Sequence, residues 1–156
     1  MIKNIRNKSV LLVDDDTRML RALDKVLSGE GAVVTCTEWA GDAIELLSER
    51  QVRIDLVITD LRMPFVSGMT AVYAIHKIFP KLPIIVLTAF GSPDVRAECL
   101  RQGASAFLEK PLDTPQLLDV VEKVLAPRKP GAEAVGTEAV GEREVIDEDI
   151  ESKEAS

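Results

Sequence analysis

Val10-Leu11-Leu12-Val13-Asp14-Asp15-Asp16 runs four apolar residues straight into three carboxylates. A short apolar run ended abruptly by charge reads as a buried strand whose C-terminal end opens on a site. Three adjacent acids repel one another, so a strand end that carries them is not built for stability. A positive group belongs there, and a hard cation such as Mg²⁺ takes oxygen ligands of this kind. A helix N-terminus is the plainer alternative, because an Asp oxygen caps free amides. That suits Asp16, which precedes an amphipathic run, but not Asp14 and Asp15, which lie before the cap.

Beyond this stretch the chain alternates. Met19, Leu20, Leu23, Val26 and Leu27 recur at helical spacing, and Gly29 and Gly31 mark the stop. Ala32 to Cys36 forms a second strand, mainly β-branched. Ala43, Ile44, Leu46 and Leu47 predict a second helix ending near Gln51. Leu56-Val57-Ile58-Thr59 is a third strand, and it too ends in a carboxylate, Asp60. A loop broken by Pro64 follows, then a third helix striped by Met69, Val72, Tyr73, Ile75, His76 and Phe79. Ile84 to Leu87 is the fourth strand, ending in Thr88; a helix from about Pro93 to Gln102 closes at Gly103. Ala104 to Leu108 is the fifth strand, ending in Glu109-Lys110-Pro111, and a last helix runs from about Thr114-Pro115 to Ala126.

Strand and helix thus alternate five times. Near-continuous apolar strands separated by helices predict an α/β fold, a doubly wound five-stranded parallel sheet covered on both faces. Right-handed crossovers point every strand the same way. Asp14, Asp15, Asp60, Thr88 and Lys110 therefore gather at one edge of the sheet, the edge where open α/β sheets bind ligands.

The 156 residues are 46% hydrophobic, enough to bury the core of one domain with a tail. The net charge of −7 argues against a nucleic-acid-binding surface. Nine acidic and four basic residues from Pro127 onward carry −5 of it, leaving the domain at −2. That tail, 127–156, is punctuated by Pro and Gly and poor in apolar residues, which predicts disorder. Val145, Ile146 and Ile150 offer the alternative of a short acidic helix on a partner. Cys36 and Cys99 lack CxxC spacing and are expected as free buried thiols in a reducing compartment. Lys3, Arg6 and Lys8 precede an apolar run too short for a signal peptide, and no stretch is long enough to span a membrane. A cytoplasmic location is the default expectation. His76, within the third helix, reads as a core-edge or surface histidine, Trp39 as packing at a helix start, and Met63 and Met69 as gap-fillers.

Three carboxylates, a hydroxyl and an ammonium at one edge suit phosphoryl chemistry. The acidic pair can hold a divalent cation, and Asp60 can share it while presenting a free oxygen. A carboxylate oxygen can attack phosphorus to form an acyl phosphate. The metal neutralises phosphoryl charge, Lys110 adds a point cation, and Thr88 can donate a hydrogen bond.

Val13-Asp14-Asp15-Asp16, Thr59-Asp60-Leu61-Arg62-Met63-Pro64 with Gly68, Leu87-Thr88-Ala89, and Gly103-Ala104 with Phe107-Leu108-Glu109-Lys110-Pro111 resemble the receiver domain of bacterial two-component response regulators. The resemblance covers residues 8 to 126 and rests on four motifs in order. It implies a flavodoxin-like fold with strand order 2-1-3-4-5. It also implies Asp60 as phosphoacceptor, and Asp14 and Asp15 as the Mg²⁺ pair with the Arg62 backbone carbonyl as a further ligand. Thr88 and Lys110 contact the phosphoryl group, and Phe107 stands at the aromatic switch position, where Tyr is common. Lys110-Pro111 resembles the family's cis peptide. The implied activity is phosphorylation-dependent switching, not enzymology beyond the domain's own phosphorylation and dephosphorylation. The implied partners are a sensor histidine kinase or histidine phosphotransfer protein and a downstream protein docking on the fourth helix, fifth strand and fifth helix. Nucleic acid and membrane are not expected partners. Arg62 and Phe90 flank the site and are expected to lengthen the acyl phosphate's life.

Three other functions fit less well. A Mg²⁺-dependent phosphohydrolase of the haloacid-dehalogenase type needs Thr or Val where Arg18 stands. A flavin carrier needs a hydroxyl-rich phosphate cradle where the three acids lie. An unphosphorylated pseudo-receiver scaffold would not need the complete residue set. No DNA-binding helices follow Ala126, which favours output by protein contact, whether alone or as one piece of a longer regulator.

Overall fold

The computed structural model describes residues 3–49, 52–62 and 67–127. Five strands, β1 (Ser9–Val13), β2 (Val33–Thr37), β3 (Leu56–Asp60), β4 (Ile84–Thr88) and β5 (Ala106–Glu109), alternate with five helices. These are α1 (Thr17–Gly29), α2 (Ala40–Ser48), α3 (Gly68–Ile78), α4 (Pro93–Arg101) and α5 (Thr114–Leu125). The strands form one parallel sheet in the order β2-β1-β3-β4-β5. The expected end of α2 near Gln51, the loop at Met63 and Pro64, and the tail beyond Pro127 lie outside the described residues.

Alternate side chains of each strand feed two cores. Leu12, Ile58, Ile85 and Leu108 face α1 and α5, packing with Leu20, Leu27, Leu117 and Val121. Leu11, Val57, Val86 and Phe107 face the other way, against Ala43, Leu47, Val72, Ile75 and Cys99 from α2, α3 and α4. Each fully buried aliphatic side chain contributes about 1.5–3 kcal/mol, so both faces are held by apolar burial.

β2 departs from this plan. Val33 is 57% exposed, and Thr35 and Cys36 are exposed as well. An edge strand has one paired neighbour, and its polar Thr residues tolerate water. The expectation that both cysteines are buried is corrected here: Cys99 is buried, whereas Cys36 lies exposed between Thr35 and Thr37. Trp39 sits at the start of α2, as expected, but is 43% exposed and therefore only partly packed.

Local signals set the helix ends. Asp16 caps α1, its side chain accepting from the backbone N–H groups of Arg18 and Met19. Gly103 has φ +119°, and a Cβ there would overlap the imidazole of His76, so α4 can turn into β5 only without a side chain at that position. His76 packs against that turn, partly buried at the end of α3 remote from the acidic edge, and its Nδ1 is buried without a hydrogen-bond partner among the described residues. Among the described residues no helix is long and apolar enough to cross a membrane.

Candidate functional site

Register brings the acids together. Val13 lies opposite Thr59 across the β1–β3 pair. Asp14 and Asp60 are the next residues on their chains, so both emerge at the same sheet edge. Thr88 ends β4 beside Glu109 of β5, one residue before Lys110. Gly68 lets α3 start hard against the end of β3: a Cβ there would overlap the Asp60 carbonyl oxygen and Leu61 Cα.

Asp14 is 3% exposed and Asp60 8%, whereas Asp15 is exposed. One carboxylate oxygen from each of the three lies within 4.8 Å of the others. Lys110 Nζ donates to Asp14 Oδ2 at 2.9 Å and lies 3.5 Å from Asp60 Oδ2. Asp14 Oδ1 accepts from the Asp16 backbone N–H at 2.9 Å, and Asp60 Oδ1 from that of Leu61 at 2.8 Å. These bonds orient both carboxylates and leave Asp60 Oδ2 beside the Lys110 ammonium. Lys110-Pro111 is a cis peptide.

Burial pushes Asp60 above the usual carboxylate range; Lys110 pulls it down, Asp14 pushes it up, and the backbone N–H groups of Arg62 and Leu61 pull it down. Burial acts to lower the Lys110 ammonium, but its hydrogen bond to Asp14 and the charges of Asp14 and Asp60 outweigh this and hold it above the ordinary lysine value. A buried carboxylate that resists ionisation beside two other acids is a group short of positive charge. The three-oxygen donor set therefore fits Mg²⁺ by charge and by ligand type.

Thr88 is fully buried, and its Oγ1 accepts from the Phe90 backbone N–H at 3.2 Å. Its carbonyl accepts from the Lys110 N–H at 2.9 Å, which ties the fourth and fifth strand ends together. Phe107 is 1% exposed and points into the core. The Arg62 guanidinium lies over the Phe90 ring at 4.0 Å, a stack joining the loops after β3 and β4. Two contacts were not legible in the sequence. The Arg96 guanidinium lies 5.6 Å from the Phe107 ring centroid, and it reaches the Glu109 carboxylate at 3.9 Å. Only the packing of α4 on β5 brings those residues together.

A doubly wound parallel sheet with buried aspartates from two neighbouring strands bridged by a lysine from a third defines the class of CheY-like receiver folds. The chain belongs to the response regulator receiver domain family, whose model matches residues 10–122. It is 36% identical over 131 residues to the transcriptional regulatory protein GlrR of Escherichia coli (strain K12), across 84% of this chain. It is 37% identical over 131 residues, 83% of this chain, to ZraR of Salmonella typhimurium (strain LT2). The chain spans 29% of the length of each of these relatives. A CheY-like receiver domain protein from Methanospirillum hungatei JF-1 superposes with a TM-score of 0.72 at 28% identity, covering 76% of this chain and 94% of that one. The beryllofluoride-activated NtrC4 receiver domain dimer gives 0.68 at 26%, covering 73% and 93%. The chain is thus a receiver domain of two-component response regulators, a signalling module.

Proposed function

We propose that Asp60 is the phosphoacceptor and that Asp14 and Asp15, with Asp60 and the Arg62 backbone carbonyl, hold Mg²⁺. The observation that carries this is the convergence on Lys110: one ammonium spans Asp14 and Asp60, and Asp15 reaches the same pocket. Asp60 Oδ2 attacks phosphorus of a phosphohistidine on a sensor kinase or phosphotransfer protein. The new P–O bond forms as the P–N bond breaks, and the electron pair leaves with the imidazole. Mg²⁺ in this site supplies charge neutralisation for the phosphoryl oxygens. Lys110 moves its contact from the Asp60 carboxylate to the phosphoryl group, and Thr88 donates its hydroxyl to it. Among the described residues Thr88 Oγ1 accepts one bond, from Phe90 N–H, which leaves its hydroxyl proton to donate to the phosphoryl group. Residues 8–126 form the switch, and the face of α4, β5 and α5, where Phe107 and Arg96 meet, receives the downstream protein. The domain's charge of −2, apart from the tail, supports a protein rather than nucleic acid as its direct partner.

Incubation with acetyl phosphate and Mg²⁺ tests this reading by intact mass. The native chain gains one phosphoryl group, and Asp60→Asn gains none; equal labelling of both overturns it. The Arg62–Phe90 stack covers the approach of water to that group. Replacing both by small polar residues should shorten the acyl phosphate's lifetime about tenfold or more, the effect of losing about 1.4 kcal/mol from the barrier. An unchanged lifetime counts against the stack as a cover.

A further inference from the structure

The end of the sheet opposite the carboxylates carries an open groove of about 480 Å³, with Ile54, Ile78, Phe79, Leu82 and Pro83 along its walls. Ile78 is 54% exposed there. A second hollow of about 230 Å³ adjoins it, shares Asp55, Lys81 and Pro83, and reaches Val124, Leu125 and Ala126. The chain therefore leaves α5 along the wall of a continuous trough. Lys8 and Lys81 line that trough, and neither has a carboxylate partner among the described residues. Asp55, the acid on the wall, already has both oxygens engaged: Oδ2 accepts from the Ser9 N–H and Oδ1 from Arg53 Nε. The trough thus combines an exposed apolar strip with uncompensated positive charge.

One segment of the same chain has the complementary chemistry. Residues 142–151 contain six carboxylates against the single Arg143, and they carry Ile146 and Ile150 at i, i+4, the spacing that would share one side of a helix. We propose that this segment docks in the trough, with Ile146 and Ile150 against Ile78, Phe79 and Leu82 and its carboxylates beside Lys8 and Lys81. Fourteen residues, 128–141, connect it to the last described position, Pro127, and Gly and Pro recur among them. Fourteen residues of random coil would span on the order of 20 Å. The trough begins at Ala126, within the span of that length of chain, and a tether that short would supply an effective concentration on the order of millimolar. Weak apolar and ionic contacts suffice at that concentration. The acidic edge takes no part in this contact, so the inference stands apart from the assignment of Asp60.

Amide spectra of the isotope-labelled full chain test it. In Ile146→Ser/Ile150→Ser, the signals of Ile54, Ile78, Phe79, Leu82 and Ala126 should shift, and those of residues 142–151 should narrow as the segment is released. Asp14, Asp60 and Thr88 should not move. Lys8→Glu/Lys81→Glu should release the segment in the same way, and adding Asp147→Lys/Asp149→Lys to that variant should restore the native groove shifts. Salt near 1 M, where the Debye length is about 3 Å, should weaken the contact in the native chain. Groove signals that are identical in the native and Ser variants mean a solvated tail and overturn the proposal. Groove shifts that depend on protein concentration, with dimer in sedimentation, mean a second copy as occupant and overturn it equally.

Discussion

The two ends of the parallel sheet are built from similar residue types and treat them in opposite ways. At the N-terminal end, Asp55 gives one oxygen to the Ser9 N–H and the other to Arg53. Ser105 accepts from the Ile84 N–H and returns its own N–H to the Ile84 carbonyl. These polar groups are matched donor to acceptor, and the charge left over at this end is the positive charge of Lys8 and Lys81 on the trough wall. At the C-terminal end, Asp14 and Asp60 are buried around one lysine, with Asp15 beside them. Negative charge is left over. A polar residue at a strand end is thus not in itself a mark of function. Surplus charge in a buried place is, because the fold alone gives no reason to keep it.

Changing the one cation should break this contrast most severely. Lys110→Met leaves Asp14 and Asp60 facing each other without a counter-charge. Truncating one partner of a buried ion pair costs about 3 kcal/mol or more, read as a lower urea midpoint. Mg²⁺ should restore most of that loss. Asp60→Asn should move the midpoint the other way, upward by about 1 kcal/mol, since burial already disfavours the Asp60 charge. A loss of stability in Asp60→Asn would show that the acids of this edge are matched as fully as the polar groups at the opposite end.

At the N-terminal end, Asp55→Ala removes two satisfied partners and should cost about 1–2 kcal/mol while leaving the phosphorylation rate by acetyl phosphate unchanged. A slowed rate would mean that the two ends are coupled through the sheet.

The smallest effect concerns the cysteines, one from the open edge and one from the core. Burial raises the Cys99 thiol to about 11, while partial desolvation by its neighbours and the charge of Asp24 raise that of the surface-accessible Cys36. A thiol with a raised pKa reacts only as pH climbs toward it. Iodoacetamide at mildly alkaline pH should therefore label Cys36 alone in the folded protein, and both residues after unfolding, as counted by mass. Labelling of Cys99 in the folded state would show that the α4 face opens readily.

Element type and order were legible because periodicity carries them: apolar runs of strand length alternate with stripes at 3.6-residue spacing. The convergence of Asp14, Asp60, Thr88 and Lys110 was legible for the same reason, since parallel strands must end at one edge. Cys36 was misjudged because composition does not say which strand lies outermost; Thr35 and Thr37 on either side were the available sign. The stack of Arg62 on Phe90 joins two loops, and the contact of Arg96 with Phe107 joins a helix to a strand. Neither pair has a spacing in the chain that would reveal it.

The order of residues by itself determined the alternation, the helix cap at Asp16, the glycine at the tight turn of position 103 and the chemical inventory of the sheet edge. Each of these is local, or follows from the direction of neighbouring strands. Tertiary structure alone decided that Lys110 sits between Asp14 and Asp60, that Asp15 stays in water, and that β2 lies open. Those outcomes depend on distances between segments far apart in the chain, where side-chain reach and burial, not local propensity, set the energy.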